Sequence, residues 1–457
     1  MPPIIASVSG VRGITGDSLT PENIIKYTSA FAQYCKRNTK SLEIVVGRDG
    51  RLHGDIVEDI VVSTLRMCGF KVVNIGIAPT PTVQLATEGT GASGGISITA
   101  SHNPQIWNGL KFLNPDGTFL DSSQVNRFLT IAEKGNFKYA DIDNIGGVEE
   151  ESLWNDRHIE MVCKLKLVDV KKIRRKKFKV VVDAVNASGS YIVPKLLKKL
   201  GCKVIPLYCD GSGVFPHMPE PLPHNLKSLC KAVKSHKADL GISVDPDADR
   251  LVLITDKGKP FGEENTITTV VNYIMRHPKG KTKAATVNLS TTRAVDDVVS
   301  GYGGKTYRSP VGEINVVKKM LGNGSVVGGE GSGGVILPVL HYGRDSLVGI
   351  ALVLSEFAAY NGKVSDYKKD LPQYHITKGK LENVKDPDLI LKKVIGEYKK
   401  QDCKITLGDG VKLNFPDYWI HLRKSNTEPI IRIITEARTE KEAESIQKDF
   451  LSKLKKL

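Results

Sequence analysis

The chain has 457 residues, 40% hydrophobic and 25% charged, with a formal net charge of +15 and seven scattered cysteines (35, 68, 163, 202, 209, 230 and 403). That length supports several domains with separate cores, and the composition is ordinary for a globular protein. No apolar run reaches the ~18 residues of a membrane span, the start "MPPIIASVSG" lacks a leader pattern, and the absence of a CxxC pair favours reduced thiols over a disulfide or zinc framework, so a cytoplasmic protein is expected.

Along the chain, three segments share an order of β-branched run, helix-period stretch, glycine and second β-branched run, starting at Glu43, Phe178 and Ala284. Gly69, Gly201 and Gly303 stand where each helix would end. Strands alternating with helices predict parallel sheets covered on both faces, and the recurrence predicts three α/β units of one topology. Before the second unit lies the basic run "KKIRRKKFK", 171–179. It reads as a solvated edge or linker rather than a nucleic-acid patch, because no aromatics alternate with the lysines to stack on bases. From about residue 371 the pattern changes: "YHITKGKLE", "CKITLG", "VKLNF", "YWIHLRK" and "IIRIITEA" read as strands, and "DPDLILKKVIGEYKK" and the last nineteen residues from Thr439 as helices. Thr439 and Glu442 have capping-box spacing. A separate α+β domain is expected there. The predicted domains are 1–150, 151–258, 259–370 and 371–457, with linkers near 150–175, 256–262 and 365–375.

Four loops carry chemistry. In "GISITASHNPQIWNGLKF", 95–112, a short buried strand around Ile96 and Ile98 runs straight into Thr99, Ser101, His102 and Asn103. No GxSxG elbow surrounds Ser101, and His102, as its immediate neighbour, is badly placed for a triad. In "DLGISVDPDADRLVLI", Asp245, Asp247 and Asp249 follow the strand Leu240 to Val244 at every second position, with Arg250 next. Carboxylates so close repel unless a cation sits among them, and hard oxygens suit Mg²⁺. An EF-hand is excluded, since its sixth and twelfth positions would be Arg250 and Asp256. In "VVGGEGSGGVILP", 326–338, glycines let the backbone approach a ligand while Glu330 and Ser332 could hold sugar hydroxyls. The segment lacks the Lys-Ser/Thr of a Walker loop. In "HLRKSNTEPIIRI", 421–433, Arg423, Ser425, Asn426, Thr427 and Arg432 offer the donors a phosphate dianion wants. A serine beside a metal can carry a phosphate, with Arg12 and Lys111 to neutralise charge and help move the proton. Together the loops imply phosphoryl transfer on a phosphosugar, which also suits a basic chain.

The order "TASHNP", "DPDADR", "GEGSGG", "RKSNTEP", supported by "SGVRG", "VVGRDGR", "WNGLK" and "MPEPLPHNL", closely resembles the α-D-phosphohexomutase family over nearly the whole chain. Its members include phosphoglucomutase/phosphomannomutase and phosphoglucosamine mutase. The resemblance implies four domains in a heart shape, three similar mixed α/β domains and a TATA-box-binding-like α+β fourth. It implies a phosphorylated Ser101, with Mg²⁺ held by Asp245, Asp247, Asp249 and a phosphate oxygen on Ser101. Arg12, Lys111 and His102 become candidate catalytic residues, Arg250 a charge partner, Glu330 and Ser332 the sugar holders. Arg423, Ser425, Asn426, Thr427 and Arg432 become the anchor of the phosphate that does not react. The reaction implied interconverts hexose 1-phosphate and 6-phosphate through a hexose 1,6-bisphosphate, in a monomer or homodimer acting on a phosphosugar, without nucleic acid or membrane. Two departures bear on substrate. The first loop reads "SVSGVRG" where "FGTSGIRG" is common, and "GEGSGG" places Gly334 where many relatives have histidine, followed by "LHYGRD" with His341 and Arg344. Glucosamine phosphate is favoured slightly over glucose and mannose phosphates. A metal-dependent phosphosugar phosphatase and an inactive sugar-phosphate sensor are the competing readings.

Overall fold

In the computed structural model, the described residues are 4–277, 283–399, 401–424 and 429–455. They form four sheets of seven, four, four and five strands. In the first three, β-branched runs whose side chains are buried on both faces form parallel strands, as their near-continuous apolar character requires. These are Glu43–Arg48 between Gly95–Ile98 and Lys71–Ile77, then Lys179–Asp183 between Leu240–Val244 and Lys203–Leu207, then Ala284–Asn288 between Val327–Glu330 and Lys305–Ser309. The glycines named above follow helices Gly54–Met67, Gly189–Lys199 and Ala294–Gly301 and adopt positive φ.

The sheets are mixed, not wholly parallel. In each, one parallel strand turns back into an antiparallel partner. Gly95–Ile98 pairs with Trp107–Leu113, Leu240–Val244 with Leu251–Thr255, and Val327–Glu330 with Gly334–Ile336. The return strands are as buried as the strands they follow, so sequence periodicity does not distinguish them. The turns of these three hairpins are the loops "TASHNP", "DPDADR" and the glycine-rich segment. Equivalent places in three units thus carry the three loops, at the carboxyl ends of parallel strands where open α/β sheets bind ligands.

The fourth sheet is antiparallel throughout, in the order His375–Leu381, Ile431–Ala437, Trp419–Lys424, Val411–Asn414, Lys404–Leu407. Helices Pro387–Tyr398 and Glu440–Leu454 contribute Leu391, Val394, Phe450 and Leu454 to a core with Ile420, Leu422, Ile431 and Ile433. The period-two alternation of strands leaves Trp419, His421 and Arg423 on the other face. The capping box at Thr439 and Glu442 is formed.

The second and third units share one apolar core, which the fully packed helix Ser346–Ala359 helps to fill. The first and third share another, in which Val45, Val73 and Val83 meet Ile314, Val317 and Met320. The fourth unit is tied to the third by polar contacts instead: Lys412 Nζ donates to Leu289 O at 2.6 Å, and the Arg293 guanidinium donates to the carbonyls of Phe415, Pro416 and Tyr418.

Two expected linkers are helical. The stretch 150–175 holds helices Trp154–Lys164 and Val170–Lys176, because Trp154, His158, Ile159 and Val162 recur on one buried face of the first and Ile173 is buried on the second. The basic run therefore covers the solvated side of a short helix pinned by Ile173, its cap Lys177, and the first residue of strand Lys179–Asp183. The stretch 365–375 begins inside helix Val364–Asp370, held by Val364 and Tyr367. Among the described residues no single helix is long and apolar enough to cross a membrane.

Candidate active site

Ser101 is 2% exposed, so its hydroxyl is buried at the turn of the first hairpin rather than standing on a surface loop. Its φ of +50° is left-handed, a conformation that costs a non-glycine residue about 1–2 kcal/mol and must be held in place. Arg51 does much of the holding: one Nη donates to Ser101 O at 2.8 Å and the other to Trp107 O, while Nε pairs with Asp49 Oδ2 at 2.9 Å. Thr99 Oγ1 donates to the same Asp49 oxygen at 2.6 Å and accepts from Ser101 N at 2.8 Å. Both members of the Arg51–Asp49 pair are buried. They lie in "VVGRDGR", a motif whose individual roles the sequence left unassigned. A charged pair so close in sequence reads equally well as an exposed turn, and only its partners show otherwise.

The second hairpin brings Asp245, Asp247 and Asp249 to this hydroxyl. All three are fully buried, with oxygens within 4.8 Å of one another. Ser101 Oγ lies 3.0 Å from Asp245 Oδ2 and 3.3 Å from His102 Nδ1. Lys111 Nζ lies 2.5 Å from Asp247 Oδ2 and 3.5 Å from Asp249 Oδ2. Arg250 places its Nε 3.9 Å from oxygens of both Asp245 and Asp249, and its backbone N–H donates to Asp245 Oδ1 at 3.2 Å. Burial, then the neighbouring charges of Asp249 and Asp247, push the Asp245 carboxyl well above the usual range. Burial would raise Asp247 too, but Lys111 beside it holds it below that range. Among the described residues, Asp247 Oδ1 and Asp249 Oδ1 are buried without a hydrogen-bond donor. Buried hard oxygens without a hydrogen-bond donor suit a divalent cation, so this set fits one.

The loops are bonded to one another. Thr80 N, in the first unit, donates to Asp247 O at 2.9 Å, and its hydroxyl to Asp247 Oδ2 at 2.7 Å. Leu251 N, just after the metal loop, donates to Gly333 O at 2.9 Å. Gly333 has φ +86° and its missing Cβ would lie 2.4 Å from Leu251 O, so this approach of the third hairpin to the second needs glycine.

In the third hairpin Glu330 Oε1 accepts from Asn288 Nδ2 at 2.8 Å and from Gly312 N at 3.0 Å, and Oε2 meets Arg344 Nη1 at 2.6 Å. Although burial opposes it, Arg344 holds the Glu330 carboxyl below its ordinary value. Asn288 and Gly312 escaped sequence reading because neither lies near the loop in the chain.

These groups border a cavity of about 780 Å³. The first unit contributes His102, the second Glu220 and Arg250, the third Glu264, Glu330 and Ser332, and the fourth Arg423 and Arg432. Ser101 and the aspartates lie behind this lining, joined to it by His102 and Arg250. Arg423 and Arg432 are directly opposed across adjacent strands of the fourth sheet, and Arg423 Nε is 2.9 Å from Asp409 Oδ2. Ser425, Asn426 and Thr427 lie outside the described residues. Burial, then the cations Arg250 and Arg12, push His102 down to about 2, so its ring is neutral. Burial lowers Arg12 as well, and its Nη1 donates to Asn103 Oδ1 at 3.2 Å. Burial pushes the Glu264 carboxyl up to about 8, and Glu264 Oε2 accepts from Thr292 N at 2.9 Å.

The arrangement can place a phosphate on an activated hydroxyl beside a metal while a second anion binds at the far wall. Comparison with known proteins places the chain in a family. Profiles described as phosphoglucomutase/phosphomannomutase alpha/beta/alpha domains I, II and III match residues 4–139, 156–258 and 263–374, and the profile of the C-terminal domain matches 377–453. A phosphoglucomutase/phosphomannomutase of Thermococcus kodakarensis is 37% identical over 95% of this chain and 94% of its own. A phosphoglucosamine/phosphogalactosamine mutase of Sulfurisphaera tokodaii is 33% identical over 98% and 97%. The crystal structure of a phosphoglucomutase/phosphomannomutase family protein from Burkholderia thailandensis superposes with a TM-score of 0.85 at 27% identity, covering 99% of this chain and 98% of that one. The chain belongs to the phosphoglucomutase/phosphomannomutase family of phosphohexomutases, isomerases that transfer phosphate within a sugar molecule.

Proposed function

We propose that the protein interconverts hexosamine 1-phosphate and 6-phosphate, with Ser101 as the phosphorylated residue. The observation that carries this is the buried Ser101 hydroxyl, 3.0 Å from the aspartate triplet, behind a cavity to which all four units contribute. Asp245, Asp247 and Asp249, with an oxygen of phosphorylated Ser101, would hold Mg²⁺, which when bound neutralises charge on the transferring phosphoryl group.

In the forward half-reaction the bond between phosphorus and Ser101 Oγ breaks and a bond to the sugar O6 forms. The O6 proton leaves to a nearby base. Lys111 and Arg12 are the candidates. The 1,6-bisphosphate turns over in the cavity; its P–O1 bond breaks as a bond from phosphorus to Ser101 Oγ forms, O1 takes the proton back from the same base, and the 6-phosphate is released. His102, neutral and with Nδ1 3.3 Å from the hydroxyl that donates to Asp245, can orient that hydroxyl but carries no charge. Glu330 and Ser332 hold the sugar hydroxyls in both orientations. Arg423 and Arg432 anchor the idle phosphate, together with Ser425, Asn426 and Thr427.

An amino sugar is supported by the carboxyl groups of Glu220 and Glu264 in the lining, since an arriving ammonium would favour the ionised form of Glu264. Glucose or mannose phosphate is the second reading, favoured by the name of the Thermococcus relative. The test compares glucosamine, glucose, mannose and N-acetylglucosamine 1-phosphates side by side, following both 6-phosphate and free phosphate. Highest kcat/KM on glucosamine 1-phosphate is expected. A tenfold preference for glucose or mannose would select the second reading, and phosphate release outpacing isomerisation would make the protein a phosphatase.

A further inference from the structure

Arg344 has no part in the scheme above, yet it contacts three carboxylates of the site. Its Nη1 lies 2.6 Å from Glu330 Oε2, its Nη2 2.5 Å from Asp249 Oδ2, and its Nε 3.0 Å from Glu313 Oε2. Glu313 is fixed in turn by Arg344's own backbone N–H at 3.2 Å and by Gln84 Nε2, from the first unit, at 3.3 Å. The side chain reaches this position by lying across Gly334, which faces Glu330 in the hairpin register. A Cβ on Gly334 would sit 2.4 Å from Arg344 Cδ and 3.0 Å from Cγ. Gly334 has no left-handed φ to explain it, so what the glycine provides is room for the arginine stem.

We propose that Gly334 and Arg344 act as a pair, and that Arg344 is a positioning residue setting how firmly the sugar is held. Its guanidinium fixes the Glu330 carboxylate and ties it to Asp249 in the aspartate loop. The sugar-binding and metal-binding loops therefore keep one spacing while the substrate occupies either orientation. A planar fork meets three separately placed carboxylates in a way an ammonium cannot. This inference rests on the assignment of Glu330 as a sugar ligand. A sugar held loosely through Glu330 would escape as the bisphosphate before its second transfer, so the partition between escape and product reports on Arg344.

The experiment compares the full-length wild type with Gly334→Ala, Arg344→Gln, Arg344→Lys and the Gly334→Ala/Arg344→Gln double variant. The readouts are kcat and KM on the preferred hexose 1-phosphate, bisphosphate released per turnover, Mg²⁺ affinity by calorimetry, and circular dichroism. Loss of a charge-assisted hydrogen bond to a binding group corresponds to a rise in KM of about tenfold or more. Arg344→Gln should show that rise together with greater bisphosphate escape, and Arg344→Lys should recover only part of the loss. Gly334→Ala, a single methyl that displaces the stem, should move the same readouts in the same direction. The double variant should be no worse than the worse single, since both remove one interaction. If Arg344→Gln does not fold, Gly334→Ala decides alone. Folded variants with wild-type KM and escape, or effects that simply add, would overturn the pairing. Absence of turnover in the wild type would sink the assigned function and this inference together, whereas wild-type turnover with unaltered variants would sink only the latter.

Discussion

The Ser101 hydroxyl and Asp245 Oδ2 are 3.0 Å apart, joining hairpin turns that are separated by more than a hundred residues of sequence. Removing the hydroxyl deletes the proposed phosphoryl acceptor and little packing. Ser101→Ala should lose activity by about 10³-fold or more, with circular dichroism unchanged and no phosphate detected on the intact protein after incubation with hexose 1,6-bisphosphate. Retained turnover would remove Ser101 from the mechanism.

Asp247 has one oxygen on Lys111 and Thr80 and one buried without a donor. Asp247→Asn removes a charge from the cation cluster, so the Mg²⁺ concentration needed for half-maximal activity should rise about 10–100-fold, by analogy with losses at groups that support metal ligands. Direct calorimetric titration should show the same shift. An unchanged titration would place the cation elsewhere.

Arg51 and Asp49 form a fully buried pair that also fixes the Ser101 and Trp107 carbonyls. Arg51→Gln leaves Asp49 without its cation and should destabilise the protein by about 3–5 kcal/mol in urea unfolding. Adding Asp49→Asn should cost less than the sum of the two single changes, because they share one interaction.

His421 is buried where the third and fourth units meet. Its Nε2–H donates to Asp409 O at 2.7 Å, and its Nδ1 lies 2.9 Å from Ser290 Oγ. Burial pushes it down to about 4. Below the ordinary value of about 6.5 the unfolded chain takes up a proton that the folded ring refuses, so stability falls as pH drops from there toward about 4 and levels off below. The full effect is at most about 3 kcal/mol. Denaturant midpoints measured at pH 7 and pH 5 should therefore fall further for the wild type than for His421→Gln.

Much of the fold was legible because it rests on local rules. β-branched runs gave the central strands, Gly69, Gly201 and Gly303 marked helix ends, and Thr439 with Glu442 marked the last helix start. The antiparallel return strands were not legible, since Leu251–Thr255 is as apolar as a parallel strand and only its pairing shows direction. Helix Trp154–Lys164 was hidden among charges whose buried face is spread over Trp154, His158, Ile159 and Val162. At the site, the loops stood out because hydroxyl, carboxylate and glycine clusters are rare at strand ends. Arg51, Asn288 and Glu313 did not, because each acquires its place from partners far away in the chain.

The three hairpin turns are bonded to one another, Ser101 to Asp245 and Leu251 to Gly333, while Thr80 at a helix start bonds to Asp247. During synthesis the serine at 101 leaves the ribosome well before the residues at 245 and 333 that complete its surroundings. A nascent or truncated chain therefore exposes an ordinary alcohol, with nothing to activate it. Under the proposed function, phosphoryl transfer at this hydroxyl would therefore need the second and third units folded against the first.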